Sequence, residues 1–244
     1  MTDWKKKPGL EITSNLALGG LIGTTIITII GSLEDTVSQA DTHKKNVLTL
    51  ESAVNIVAGY LYLEIVKHLK NGNWKSANDL RYLDWFLTTP LLILSFIYFI
   101  RSRSKAEDTD GEVCNFESRS KKIVEKSDSC KYPWWQAMVA ILFTYAMLAF
   151  GAAGRAPGGK QNEFNWKNFM GFVSFFGLAT MLYFIYPDPA EDQFVAISIF
   201  LLVWIAYGAV YYLKPDGVLG RESLYNCLDL VSKSGFGLLM FFFM

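Results

Sequence analysis

Long apolar blocks separated by polar stretches are the feature that most constrains the fold of this 244-residue chain. Each block is close to the roughly 20 residues that a helix needs to cross a bilayer. The blocks lack the alternation of apolar and polar residues that marks the strands of a membrane barrel, and lipid admits only helices or closed barrels. The pattern therefore predicts seven membrane-spanning helices, with approximate limits 15–33, 49–69, 79–100, 134–154, 164–186, 190–213 and 218–244.

A soluble helical bundle is the alternative interpretation of these blocks. Its helices would need polar faces toward water, whereas segments 15–33, 134–154 and 194–213 carry almost no polar side chains. A composition that is 51% hydrophobic and 15% aromatic also favours the lipid bilayer as the surroundings. The chain has no basic stripe with interleaved aromatic residues, so nucleic acid is not an expected partner. It also lacks the residue spacing of a metal site.

Residues 101–133 are the longest polar connector between two predicted helices. They contain too few apolar residues to build a core, so we expect a solvated loop within one seven-helix domain that covers residues 1–244. Lysine and arginine residues are divided almost evenly between the two ends of the predicted bundle. Loop charge therefore leaves the orientation of the chain in the membrane open.

Charged residues interrupt the third and seventh apolar blocks, where lipid makes them costly. Lys233 lies eleven residues before the end of the seventh block, which at about 1.5 Å per residue predicts a position near the middle of the bilayer. Asp229 precedes it by four residues and so shares its helical face. The third and seventh helices run parallel, so Asp84, three residues after Arg81, lies on the same side of Lys233 as Asp229. The sequence predicts an asymmetric buried site in which one lysine faces two carboxylates.

Bulky aromatic residues are expected around this lysine. They are Tyr82, Trp85, Trp204, Tyr207 and Tyr211. Each one alone is compatible with core packing or lipid contact, but together they would line a slot for a long, flat, apolar ligand. A lysine amine that is removed from water loses its proton readily and forms a Schiff base with an aldehyde.

Three motifs carry a resemblance to a known family. RYLDWFLTTPLL on the third helix, WIAYGAVY on the sixth and LDLVSKSGFGL on the seventh resemble the signatures of the microbial (type 1) rhodopsins, in the same order. The resemblance implies a seven-helix bundle that encloses all-trans-retinal, bound to Lys233 as a protonated Schiff base. It implies that Asp84 is the primary counter-ion and proton acceptor and that Asp229 is the second counter-ion.

The resemblance also assigns roles to further residues. Thr88 would hydrogen-bond Asp84, and Arg81 would gate the extracellular half. The implied retinal contacts are Tyr82, Trp85, Thr89, Leu92, Trp204, Tyr207 and Tyr211. Leu92 matches the leucine of green-absorbing relatives. The resemblance further implies an extracellular N-terminus, a cytoplasmic C-terminus and a homo-oligomer, either a trimer or a pentamer.

Two positions depart from the pattern of the proton-pumping members. Pumps usually carry a carboxylic acid where this chain has Ser95, and a serine hydroxyl cannot give up a proton at useful pH. The resulting Asp-Thr-Ser motif resembles rhodopsins of large DNA viruses. Glu51 on the second helix is predicted at the depth of Ser95, about 9 Å from the interface, and is a candidate substitute donor. The equal alternative is a wetted carboxylate near the start of its helix. The second departure is Gly208, where the family usually has a proline.

Three functions are compatible with these residues. The first is a light-driven outward proton pump, a photoactive transporter rather than an enzyme, in which Asp84 receives the proton. The second is a light-gated cation channel, which Ser95 together with the intramembrane Asn55 and Asn226 would suit. The third is a photosensor, for which the sequence offers no fused transducer domain.

Overall fold

The computed structural model describes residues 8–33, 39–104, 134–156, 162–185, 191–213 and 220–243, and these residues contain helices and no strand. Six spans are single helices: α1 (Pro8–Ser32), α2 (Gln39–Lys70), α3 (Trp74–Ser104), α4 (Trp134–Ala153), α5 (Trp166–Ile185) and α6 (Glu191–Tyr211). The seventh span is a continuous helical run of α7 (Arg221–Asp229), a π-helical turn (Leu230–Gly235) and α8 (Phe236–Phe243). The predicted seven-helix bundle is confirmed.

Several helices are longer than the apolar blocks that predicted them. Helix α1 begins at Pro8 rather than at 15, and α2 begins at Gln39 rather than at 49. An apolar block marks only the part of a helix that lies in lipid, while backbone hydrogen bonds continue into the polar residues beyond it. For the same reason, the first four residues of the predicted loop 101–133 belong to α3. Residues 105–133 lie outside the described part of the chain.

The outer surface of the bundle is apolar. Ile22, Leu142 and Leu202, for example, are 50%, 61% and 61% exposed. Soluble monomers rarely expose large contiguous apolar patches. Within the described residues, six helices, from Gly9–Leu33 to Gln193–Tyr211, are long and apolar enough to cross a membrane. The chain is therefore an integral, multi-pass membrane protein.

Apolar clusters hold the helices together, and two of them are the largest. One joins α1 to α2 and includes Leu21 and Ile65. The other joins α3, α5 and α6, where the rings of Phe96 and Phe200 stack with centroids 4.2 Å apart. Many of the buried polar side chains lie on α2, α3 and the seventh span, and include Glu51, Asn55, Arg81, Asp84, Ser95, Asn226, Asp229 and Lys233. These three spans therefore carry the candidate site.

The π-helical turn of the seventh span contains Lys233. Each turn of a π-helix holds more residues than a turn of an α-helix, and such turns are frequent at functional sites. The sequence predicts an uninterrupted helix over 218–244. Hydropathy cannot locate the π-helical turn, because it lengthens one turn without changing the apolar character of the segment.

Candidate functional site

Lys233 places its amine between two buried carboxylates. The side chain is 2% exposed, and its Nζ donates a hydrogen bond to Oδ2 of Asp84. The same nitrogen lies 3.9 Å from Oδ1 of Asp229. Both carboxylates are fully buried. Because a buried charge is tolerated only when it is paired and hydrogen-bonded, Asp84 is the direct partner of the lysine and Asp229 is its longer-range partner.

Asp229 accepts hydrogen bonds from four side chains, two at each oxygen. Arg81 Nη1 donates to Oδ2 at 2.9 Å, and the Tyr62 hydroxyl lies 3.0 Å from the same oxygen and shares its one proton between it and Oδ1 of Asn226 at 2.7 Å. Trp85 Nε1 and the Tyr207 hydroxyl donate to Oδ1 at 3.0 and 2.7 Å. Hydrogen bonds to an ionised acceptor are stronger than those between neutral groups. The arrangement therefore holds Asp229 as a fixed anion.

Arg81 extends the same network to neighbouring helices. Its Nη1 donates to the Tyr62 hydroxyl at 3.1 Å, and its Nη2 donates to Oδ1 of Asn226 at 2.8 Å. Asn226 Nδ2 in turn donates to the Ser14 hydroxyl on α1 at 2.8 Å. Glu222 lies 3.5 Å from Arg81 Nε. We call the set Tyr62, Arg81, Asn226 and Asp229 the Arg81 network; it ties α1, α2, α3 and α7 together on one side of Lys233.

Asp84 is held much more loosely than Asp229. Its Oδ2 bonds Lys233, while its Oδ1 has no hydrogen bond among the described residues. The Thr88 hydroxyl donates to the backbone carbonyl of Asp84 at 2.7 Å and not to its carboxylate. Asp84 can therefore change its protonation without breaking the Arg81 network.

An apolar cavity of about 300 Å³ reaches Lys233 from the side of α4, α5 and α6. Its walls include aromatic rings in edge contact, with Trp85 and Tyr207 centroids 5.4 Å apart and Tyr82 and Trp85 centroids 5.1 Å apart. All eight residues predicted to bind a cofactor line it: Tyr82, Trp85, Thr89, Leu92, Trp204, Tyr207, Tyr211 and Lys233. The shape and lining suit a long apolar ligand that ends at the lysine.

The sequence model of the bacteriorhodopsin-like protein family matches residues 14–244. The chain belongs to this family. Opsin-like protein carO of Fusarium fujikuroi is 23% identical over 191 residues, which are 71% of this chain and 50% of that protein. Sensory rhodopsin-1 of Halobacterium sp. (strain SG1) is 27% identical over 169 residues, which are 63% of this chain and 54% of that protein. The chain thus spans about half the length of these curated relatives. The solved structure of viral rhodopsin OLPVRII shares the fold, with a TM-score of 0.74, 24% identity and coverage of 96% of each chain.

Bacteriorhodopsin-like proteins normally bind retinal, and the residues of the cavity fit that group. Retinal is a long conjugated aldehyde, and the cavity offers aromatic walls with few polar atoms. Among the described residues that line it, Lys233 provides the sole primary amine. The amine lies beside Asp84, which would balance a positive charge at that position.

Glu51 is buried on the side of Lys233 that faces away from the Arg81 network. This residue is fully buried and lies beside Ser95. It is more than three helical turns from the first residue of α2. This burial favours the donor interpretation over a wetted carboxylate near the start of its helix. Neither carboxyl oxygen of Glu51 has a hydrogen bond among the described residues, and the same holds for the Ser95 hydroxyl. We call Glu51, Asn55, Ser95 and Ser234 the Glu51 cluster.

Sequence reasoning missed Tyr62 and Ser14. Tyr62 contributes to the binding of both Asp229 and Arg81, and Ser14 anchors Asn226. The position of Tyr62 along its helix could have indicated its contact with Asp229. It lies eleven residues after Glu51 on a helix antiparallel to the seventh, which places it near the level of Asp229. Ser14 is an ordinary polar residue near the start of α1, and no pattern in the sequence indicates its contact.

Proposed function

We propose that this protein is a retinal-binding, light-driven outward proton pump. The observation that carries the proposal is that the two carboxylates beside Lys233 differ in the hydrogen bonds they accept. Asp84 contacts the lysine nitrogen through one oxygen and keeps the other without a hydrogen bond among the described residues. Asp229 is saturated by four donors. A proton that leaves the nitrogen therefore finds its acceptor in Asp84.

Bound retinal, as a Schiff base on Lys233, would supply the absorption of light and the isomerisation that drives the cycle. The chain's own residues move the proton. Asp84 Oδ2 is in hydrogen-bond contact with Lys233 Nζ, so the N–H bond breaks as the O–H bond forms. Asp229 stays an anion because its four donors stabilise the charged form. Arg81 stays with Asp229 and balances its charge.

Return of the proton requires a donor on the side of Lys233 away from Asp84. We assign this role to Glu51, which is fully buried and whose carboxyl group has no cation beside it in the described structure. A carboxyl group in such surroundings is best accommodated with its proton on. Outward transport then places the Arg81 network toward the cell exterior, together with the N-terminus, and the Glu51 cluster toward the cytoplasm.

A light-gated cation channel is the second candidate. Ser95 in place of a carboxylic donor and the buried Asn55 favour it, because neutral polar groups can accompany a passing ion. The Arg81 network opposes it, since a cation would have to pass a buried arginine with at least three hydrogen bonds. A photosensor would need neither a donor nor an open path.

Photocurrents under voltage clamp separate the three functions. A pump drives outward current at all applied voltages, a channel current reverses sign, and a photosensor passes almost no current. We expect an outward current that does not reverse and that persists when protons are the sole permeant cation on both sides. A reversal potential that follows the sodium or potassium gradient would contradict the pump.

A further inference from the structure

A second cavity, of about 290 Å³, lies at the end of the bundle where α3 and α7 begin. Its lining includes the charged residues Lys75, Asp79, Arg155 and Arg221. A cavity that is this polar and this large can hold water. The apolar cavity beside Lys233 has nearly the same volume, about 300 Å³, but few polar atoms in its lining. Water hydrolyses a Schiff base to an aldehyde and an amine, so a retinal site next to a polar cavity has to be closed against it.

Three tyrosines separate the two cavities. Tyr82, Tyr211 and Tyr225 line both of them, and we call these residues the tyrosine partition. Tyr225 is buried, and its ring lies edge-on to Trp85 with centroids 5.0 Å apart. Tyr211 is buried as well, and its hydroxyl donates to the carbonyl of Gly151 at 3.0 Å. Tyr82 is half-buried and is therefore the most accessible part of the partition.

Arg155 lies over the Tyr82 ring from the side of the polar cavity. Its Cζ is 4.4 Å from the ring centroid, and Arg155 lines the polar cavity but not the apolar one. Its Nη2 donates to Oδ1 of Asp79 at 2.9 Å. Asp79 precedes Tyr82 by three residues on α3 and so lies on the same helical face. A guanidinium group can stack on a ring and bond a carboxylate at the same time, so Arg155 presses Tyr82 against the bundle from the end of α4.

We propose that Arg155 is a positioning residue: with Asp79, it holds Tyr82 in the tyrosine partition and so keeps water in the polar cavity away from the Schiff base on Lys233. The inference rests on the attachment of retinal to Lys233 but not on the direction of transport. An exposed ion pair alone contributes little to stability, whereas arginine on an aromatic face adds a second attraction. Proteins open locally where contacts are weakest, and the partition opens when Arg155 leaves the ring.

Hydroxylamine in the dark tests the partition, because this small polar nucleophile releases retinal as its oxime once it reaches the Schiff base. Bleaching is measured in detergent, well below the unfolding temperature of every variant. We expect Arg155→Gln to bleach about fivefold faster than the wild type, the change that follows from losing one contact of this kind. Asp79→Asn should also bleach faster, and because its carboxylate is 52% exposed it supplies a second measurement if Arg155→Gln does not fold.

The matched control is Lys67→Gln, which breaks an exposed ion pair with Glu64 at the same end of the bundle and outside the linings of both cavities. It should bleach at the wild-type rate. A residue that acts through another adds nothing once that other residue is gone, so Arg155→Gln should not accelerate bleaching further in a Tyr82→Ala background.

Two results would overturn the inference. One is an acceleration by Arg155→Gln that persists in full without the Tyr82 ring. The other is bleaching at the wild-type rate in both Arg155→Gln and Asp79→Asn, which would leave the proposed function intact. A wild type that forms no visible band with retinal would instead overturn the attachment to Lys233, and with it the proposed function and the partition together.

Discussion

The two sides of Lys233 differ in how their polar groups are bonded. In the Arg81 network, Asp229 accepts four hydrogen bonds and Arg81 donates to three neighbours. In the Glu51 cluster, neither carboxyl oxygen of Glu51 has a hydrogen bond among the described residues. Both sets of residues are equally buried. Burial alone therefore does not distinguish a structural charge from a group that is free to exchange its proton.

The difference suggests that the two sides of Lys233 have different roles in proton transfer. Dipoles and charges that are fixed before the reaction stabilise a new charge without reorganisation, which is what the Arg81 network offers to the nitrogen of Lys233. A neutral, loosely held group can give up and regain a proton without breaking strong bonds, which is what the Glu51 cluster offers.

Lys233→Ala should abolish covalent binding of retinal and leave the reconstituted protein colourless. Lys233 is the sole primary amine among the described lining residues of the cavity, so the aldehyde loses its attachment. Absorption spectra after reconstitution measure the effect, with Lys67→Ala, an exposed lysine on α2, as the control. A visible band that resists hydroxylamine in Lys233→Ala would show that the attachment lies elsewhere.

Asp84→Asn should shift the absorption of the retinal-bound protein to the red and stop outward transport. The substitution removes the carboxylate in direct contact with Lys233 Nζ, so the positive charge in the dark state loses its partner and the proton loses its acceptor. Light-induced acidification of a cell suspension measures transport. Acidification that survives in this variant would remove Asp84 from the proton path and leave Asp229 to carry it.

Asp229→Asn should destabilise the folded protein more than Asp84→Asn does. It takes the anion from Arg81 and turns one oxygen into a donor that faces other donors, and breaking a buried ion pair by removing one partner costs about 3 kcal/mol or more. Among the described residues, Asp84 has one ion-pair partner, Lys233, within hydrogen-bond distance. Thermal unfolding of both variants in the same detergent measures the difference. Equal losses of stability would show that the Arg81 network is not the stronger of the two arrangements.

Much of the Arg81 side follows from the sequence, because helical arithmetic is accurate over short spacings. Asp229 and Lys233 lie four residues apart on one helix, and Arg81 and Asp84 lie three apart on a parallel helix. Two pairs with fixed spacing and a shared direction have few ways to meet, and the structure brings all four residues together. Tyr62 and Ser14 escaped the prediction because each is one polar residue on another helix, and the rotation of α1 and α2 about their axes is not encoded in helix length.

The Glu51 side was less accessible from sequence. Counting residues from the interface placed Glu51 level with Ser95, but the same count also allowed a wetted carboxylate. The choice depends on how far α2 continues beyond Glu51 toward the polar residues, and the helix begins at Gln39, ten residues earlier than the apolar block. The close packing around Gly237, where an added Cβ would lie 2.8 Å from Cγ2 of Thr24, is a property of three packed helices. It was visible only once α1, α2 and α8 were placed together.

Glu51→Gln should prolong the state in which Lys233 Nζ lacks its proton and make the decay of that state depend on pH. Glutamine keeps the size and polarity of the side chain but cannot deliver a proton, so delivery must come from the aqueous phase and becomes slower as protons become scarcer. A small weak acid such as azide should restore the rate, because it carries protons into the bundle. Ser95→Asp in the Glu51→Gln background should compensate in part, since it restores a carboxyl group beside the same position.

Flash photolysis across roughly pH 5 to 9, a range that covers carboxyl groups in both ordinary and perturbed surroundings, measures this decay. Glu64→Gln is the matched control, because Glu64 is on the same helix, is partly exposed and pairs with Lys67 at 3.4 Å. It should leave the decay unchanged. If Glu51→Gln also decays at the wild-type rate over the whole range, Glu51 is not the donor. The cluster around it would then be a hydrated path open to the aqueous phase, as a cation channel requires, and the contrast between the two sides of Lys233 would be one of conduction rather than of proton storage.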